Sequence, residues 1–193
     1  MSFFDKLTSV LFRPGSFWLR IQTERGIAPA LLYFVGLLVF FLILYVGFGL
    51  LALSTASPEM MQDFTANAAR MGFSTRNAVI AAGLLLACLF LLGTFVNSAV
   101  MHWMLRLFGG QGGFSDTYKA YVYGATPQLL FMAVPYIGLV SPIYMLYLQL
   151  TGMSVLHRVS VWRVLAAAIC SMLLLFVLLF APLLLLRMLG SAA

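Results

Sequence analysis

Two histidines, three amides set inside apolar segments and one glycine-rich loop are the residues on which chemistry could be built in this 193-residue chain. His102 and His157 stand near the ends of apolar segments, where an imidazole titrates near neutrality or serves as a metal ligand. No HExxH spacing occurs, and no carboxylate lies within a membrane-length apolar segment to partner either one. General acid–base work needs such a positioned partner, so both are expected to be interfacial, hydrogen-bonded residues. The same lack argues against an intramembrane protease or a proton relay, and nothing marks a serine as activated.

The loop FGGQGGFSD, residues 108–116, is the only glycine-rich stretch. Phosphate-binding loops use such backbones to approach an anion, but the Lys-Ser/Thr of a P-loop and a preceding strand are both missing. Gly109 to Gly113 therefore reads as a helix stop and hinge, with Ser115 or Asp116 capping the helix that follows. Asn97, Gln128 and Gln149 are amides placed where lipid would surround them, and such groups ordinarily hydrogen-bond across to a neighbouring helix. The alternative is that they line a cavity, as proline-broken segments do in transporters. Cys88 and Cys170 sit apart in apolar segments, with no CxxC or Cys/His cluster, and read as small packing residues. No metal or other cofactor is expected.

These residues must be positioned by membrane helices. The chain is 63% hydrophobic and 8% charged, with mean hydropathy +1.05, far from the composition of a soluble domain. The net charge of +6 is scattered over helix ends and forms no basic stripe, so nucleic acid is not an expected partner. No cleavable signal peptide is expected at the N-terminus. Since a helix of about 20 apolar residues crosses a bilayer, spans are predicted at about 28–53, 78–105 and 164–186. Between the last two lies a charge-free run, Ala120 to His157, with prolines at 127, 135 and 142. It is predicted to fold as a short hairpin with arms at about 117–134 and 136–156, the second starting at Tyr136 or Pro142 and the turn at Pro135 and Gly138. Each arm reaches about 22 to 30 Å against a hydrocarbon core near 30 Å, so the hairpin either crosses a thinned bilayer or is re-entrant. The fold class is thus an all-α integral membrane protein with five transmembrane helices, residues 28–193 forming the membrane domain.

Lys6, Arg13, Arg20, Arg25, Arg106, Lys119, Arg158 and Arg163 fall on one side of that arrangement and Arg70, Arg76 and Arg187 on the other. The positive-inside rule then places the N-terminus in the cytoplasm and the C-terminus outside. Residues 1–27 read as a cytoplasmic interfacial segment of two short amphipathic helices. In the first, Ser2 is the expected cap and Phe3, Phe4, Leu7, Val10 and Leu11 share a face. In the second, Ser16 is the expected cap, Phe17, Trp18 and Ile21 form the apolar side, Arg20 and Glu24 pair at i,i+4, and Gly26 is the stop. Phe3, Leu7, Phe17 and Trp18 are the expected contacts with the membrane interface. The loop SPEMMQDFTANAARMG is predicted to be a helix capped by Ser57-Pro58 and ended by Gly72, with Met60, Met61, Phe64, Ala68 and Met71 on its membrane side.

The stretch from Lys119 to Ile169 resembles the Yip domain family, named in eukaryotes for Ypt/Rab-interacting membrane proteins. The likeness rests on Tyr121 and Tyr123 leading into Thr126-Pro127, the Pro135/Gly138 turn, Tyr144 and Tyr147, then Gly152, His157 and Ser160 before the last span. The opening LFRPGSFWLRI is similar to prokaryotic members. The resemblance implies five spans with a cytosolic N-terminus and, in eukaryotes, a role in organising vesicle traffic through small GTPases. Eukaryotic members carry a substantial cytosolic N-terminal region, whereas only 27 residues precede the first span here, so GTPase docking is not expected. The arginine- and leucine-rich composition with two lysines fits a prokaryotic cytoplasmic membrane.

The expectation is a non-enzymatic membrane protein that organises or binds other membrane components: a membrane-protein partner, a second copy of itself, or lipids, with bilayer shaping as a physical route. The candidate residues are Tyr121, Tyr123, Thr126, Pro127, Gln128, Pro135, Gly138, Gln149 and His157 of the hairpin. The alternative is a small oligomeric transporter or channel whose path the broken hairpin lines.

Overall fold

The computed structural model describes residues 1–132, 134 and 136–190, and everything regular in them is helical. Helices α1 (Phe3–Phe12) and α2 (Pro14–Ile21) form an N-terminal strap, followed by α3 (Ala28–Ser54), α4 (Pro58–Arg70) and α5 (Thr75–Leu107). The hairpin region holds α6 (Phe114–Gly124), α7 (Thr126–Phe131) and α8 (Ile137–His157), and α9 (Val161–Gly190) closes the chain. Four of these are long and apolar enough to cross a bilayer: α3, α5, α8 and α9 over Val161–Ala181.

Helix α5 shows how the bundle is sorted. Its buried positions include Gly83, Thr94 and Ser98, while Leu85, Leu89 and Leu92 point outward. Lipid tails are as apolar as leucine, so small and hydroxyl side chains gain more from the helix–helix contact than from lipid. At Gly83 an added Cβ would stand 2.8 Å from the Leu42 side chain of α3, so the glycine permits the close crossing of α3 and α5. The core beneath is aromatic, with Phe17, Trp18, Phe34, Phe41, Tyr118 and Tyr123 almost fully buried.

The hairpin departs from its predicted form. Its first arm is two helices, α6 and α7, hinged at Ala125 before Pro127, where a continuous 117–134 segment was predicted. The proline ring forbids the i→i−4 bond, so the helix ends and restarts. Gly138 does not make the turn: it lies in the first turn of α8, where an added Cβ would come 2.8 Å from the Met132 carbonyl oxygen. Among the described residues of the turn, the positive φ is at Tyr136, at 63°. Pro135 lies outside the described residues. Pro142 sits within α8 rather than starting it.

The strap is also built differently. Helix α2 begins at Pro14, a residue preset for the first helical position, so Ser16 is inside the helix and its Oγ donates to the Arg13 carbonyl instead of capping. Arg20 does not pair with Glu24. The helix has ended at Ile21, and the Arg20 guanidinium reaches Ser9 Oγ at 3.2 Å. Ser2 caps α1 as predicted, accepting from the Asp5 amide while its own amide donates to the Asp5 carboxylate. Ser57 caps α4, and Gly72 and Gly109 take the left-handed φ just after the caps of α4 and α5; Gly26, though also at positive φ, is not the stop of α2, which ends at Ile21 with Gln22 as its cap.

Candidate functional site: a strap latched to a broken hairpin

The proline break leaves backbone carbonyls without donors inside an apolar environment, where each unmatched group is expensive. Pro127 cannot donate to the carbonyl of Tyr123, four residues back. Thr126 Oγ1 donates to that carbonyl instead, at 2.7 Å. The hydroxyl has one proton, so the 2.9 Å contact between Thr126 and Tyr33 is a bond donated by the Tyr33 phenol. The same device recurs in α8. Pro142 leaves the Gly138 carbonyl unmatched, and Ser141 Oγ lies 3.0 Å from it and 2.9 Å from Gln128 Oε1, so its one proton is shared between two acceptors. In both places the hydroxyl residue immediately precedes the proline.

Close contact joins α6 to α8. An added Cβ at Gly124 would meet Gln149 Cγ at 2.5 Å and its backbone nitrogen at 3.1 Å, so only a glycine admits this crossing. Gln149 Nε2 then donates to the Tyr121 carbonyl at 3.1 Å. The Gln128 amide lies 2.9 Å from Ser141 Oγ, tying α7 to α8. These two amides bond between helices. Asn97 does not: it donates to Gly93 of its own helix.

On the face of α6 turned to the strap, Lys6 is buried and donates to Glu24 Oε1 at 2.5 Å and to the Tyr123 phenol at 2.7 Å. The Tyr123 phenol in turn donates a hydrogen bond to Glu24 Oε2 at 2.6 Å. Lys119, also buried, donates to the Glu24 backbone carbonyl and, at 3.2 Å, to Asp116. Two ammonium groups thus meet two carboxylates, the compensation that charge out of water requires. Lys6 and Lys119, expected from the sequence as topology determinants, form the latch between strap and hairpin. The signal was present in composition, since these are the only lysines in a chain that otherwise uses arginine. A compact ammonium on a flexible stem fits a narrow buried site better than a planar guanidinium fork.

The strap's aromatic side chains complete the latch. Phe17 meets Tyr123 edge-on at 5.2 Å, Tyr33 lies 5.0 Å from the same ring, and Trp18 fits over Gly152, where an added Cβ would come within 2.7 Å of the indole. Phe17 and Trp18 are fully buried, which corrects their assignment as membrane-interface contacts. Their ring faces find tighter packing on α6 and α8 than lipid would give. Phe3 and Leu7 are half-buried against the same core. The large apolar side chains of α1 and α2 that face outward are Phe4, Phe12 and Leu19. Tyr144 donates to the Leu11 carbonyl, matching an otherwise open acceptor at the end of α1.

At the beginning of α6, Thr117 Oγ1 lies 2.9 Å from His102 Nδ1 and 2.8 Å from His157 Nε2. One hydroxyl between two ring nitrogens donates to one and accepts from the other. His157 is fully buried and hydrogen-bonded, because the glycine loop folds over it: Gln111 donates to its carbonyl, and Cβ atoms at Gly110 or Gly112 would stand 3.0 Å from Nδ1. Gly113 takes the cap position before α6, and Asp116 accepts from its amide.

Residues 8–182 match the Yip1 domain family. The comparison with curated proteins and that with solved structures each give no match. With a match over nearly the whole chain, and with apolar helices built to cross a bilayer, this integral membrane protein belongs to the Yip1 domain family.

Proposed function

We propose that this protein organises other membrane components without catalysing a reaction. In this reading it crosses the membrane five times and binds protein partners, further copies of itself or lipids through outward apolar surfaces. The carrying observation is where the polar groups go. Thr117, Lys119, Tyr123, Thr126, Gln128 and Gln149 all find partners within the fold, whereas Phe4, Phe12, Leu19, Trp103, Leu107 and Trp162 are exposed. Apolar and aromatic side chains at helix ends are suited to the interface and to partners lying in it.

The fifth crossing is the α6–α7 arm, which packs along α8 through both of its helices. Its 18 residues from Phe114 to Phe131 reach roughly 27 Å at 1.5 Å per residue, short of the hydrocarbon core and so able to thin the bilayer locally. Even with the two buried lysines set aside, the arginines favour a cytoplasmic N-terminus and an outside C-terminus, in a prokaryotic cytoplasmic membrane. Docking of a small GTPase is not part of this reading.

A second reading, a small oligomeric transporter or channel, is favoured by one feature. A cavity of about 240 Å3 between α5, α8 and α9 is lined by Asn97, Tyr121, Gln149 and Ser171 among apolar neighbours. Photocrosslinking in native membranes from a benzophenone side chain at Phe12 and, separately, at Gln149 decides between them. Recurrent capture at Phe12 of one identified membrane protein, or of this chain itself, supports the organiser. A small solute trapped only at Gln149 replaces it with transport.

A further inference from the structure

The relay of His102, Thr117 and His157 is closed at one end by glycine. Thr117 and His157 are fully buried, and among the described residues His157 Nδ1 has no hydrogen-bond partner. Cβ atoms added at Gly110 and Gly112 would each stand 3.0 Å from that nitrogen, so in both glycines a carbon-bound hydrogen takes the direction toward it. A ring lone pair tolerates such hydrogens as weak contacts, whereas an N–H aimed at them would be a buried donor without an acceptor. The relay therefore runs one way: His157 Nε2–H donates to Thr117, and the Thr117 hydroxyl donates to His102 Nδ1. The loop is seated too closely to give way by degrees. The same added Cβ atoms would come 2.9 Å from the Leu105 and Leu156 carbonyl oxygens, and the Gln111 amide is bonded to the His157 carbonyl at 3.1 Å.

Such a relay has no place for one more proton, because an imidazolium donates from both nitrogens. On His157 the added proton would point at the glycines. On His102 it would meet the proton that Thr117 already directs there. The surrounding charges offer no compensation. Arg106 of α5 reaches the Gly110 carbonyl, Arg163 of α9 lies beside Gly109, and Arg158 follows His157 in the chain. Among the described residues the carboxylate that faces the site is Asp116 of α6, and it is already bonded to Lys119 and to the Gly113 amide. We propose that the relay and the glycine loop over it form a proton-sensitive clasp: uptake of a proton releases residues 108–113 from the end of α8 and frees the start of α6. Once the loop lifts, water accepts the second N–H. The clasp goes beyond the organising function and does not rest on it.

The test is amide hydrogen exchange of the full chain in lipid nanodiscs, with each amide's protection taken relative to its intrinsic rate at pH 7.5 and at pH 5.5. Protection of residues 108–116 is expected to fall roughly tenfold over that interval, the factor given by one proton bound to an opened histidine of ordinary pKa, about 6.5. Helix α3 should stay constant. The sign follows from a closed relay that holds no added proton: its contribution is complete above that value and is lost as pH falls below it. His157→Gln keeps an amide donor toward Thr117 and takes up no proton, so loop protection should become flat. Nitrogen-15 shifts of the wild-type imidazoles decide without any substitution. His157 should carry a proton on Nε2 alone at pH 7.5, and its imidazolium should appear only together with opened-loop signals. Constant loop protection in the wild type, a tenfold fall retained in His157→Gln, or a His157 imidazolium beneath a loop that is still protected would each overturn the clasp.

Discussion

The Tyr123 phenol lies 2.7 Å from the Nζ of Lys6, 117 positions earlier in the chain, and both donate to the carboxylate of Glu24. Three segments remote in sequence are closed into one polar ring: α1, the linker after α2, and α6. Tyr123 is also one residue from Gly124 and four before Pro127, so the ring grips the arm just before it breaks. The strap is thereby coupled to the hairpin by charge as well as by its aromatic packing.

Glu24→Gln removes the charge that offsets buried Lys6. Losing one member of a buried pair costs about 3–5 kcal/mol, and the low end is expected because the Glu24 side chain is 17% exposed. Lys6→Met combined with Glu24→Gln should cost less than the sum of the two single changes, since no unmatched ammonium is left behind. Thermal unfolding in detergent micelles measures all three; strict additivity would show that the ring is not an energetic unit.

Trp18 over Gly152 gives a second test of the strap. Gly152→Ala would push a methyl group into the indole, and overpacking of this kind costs typically 1–3 kcal/mol. The strap should loosen while the membrane helices hold, so limited proteolysis before Ala28 is expected to speed up. Gly124→Ala is a different matter, because its Cβ meets the backbone of Gln149 as well as the side chain. There α6 and α8 must separate, and the whole fold should lose stability. Equal proteolytic profiles for the two variants would contradict this division.

The strap also carries a small pH dependence. Hydrogen bonds from the Ser2 hydroxyl and amide region hold the Asp5 carboxyl below its usual value of 3.8. A depressed carboxylate pKa means that its contribution is fully present above the unfolded value and is lost as pH falls through the folded one. Fraying of α1, followed by hydrogen exchange at its first-turn amides, is therefore expected to rise as pH drops below about 4. Asp5→Asn should flatten that rise, and Glu24→Gln should leave it in place.

Much of this architecture is legible from hydropathy and from single residues. The long apolar helices, the Ser2 and Ser57 caps and the glycine stops follow from local chemistry that acts within a few positions. The latch did not follow. Nothing local links Lys6 to Tyr123, and a lysine before a membrane span is ordinarily a topology signal. Phe17 and Trp18 misled for a related reason: an amphipathic face looks the same whether lipid or protein covers it. The hairpin break was visible in Pro127, but the role of Thr126 in tolerating it lay in a hydroxyl whose partner is set by three-dimensional closure.

Thr126 offers the most discriminating test of how the hairpin survives its prolines. Thr126→Val keeps the shape and removes the proton donated to the Tyr123 carbonyl, leaving a buried acceptor unmatched at a cost of about 1–3 kcal/mol. Thr126→Ser restores the donor and should recover most of the loss. The decisive variant adds Pro127→Ala to Thr126→Val. Alanine returns a backbone N–H four residues after Tyr123, so the carbonyl regains a helical partner and the double variant should be more stable than Thr126→Val alone. With Ser141→Ala, adding Pro142→Ala should give only partial rescue, because it restores a partner to the Gly138 carbonyl but not to Gln128 Oε1. If Pro127→Ala fails to rescue Thr126→Val, the threonine acts chiefly through its bond with Tyr33, and Tyr33→Phe should then reproduce the loss in chemical denaturation.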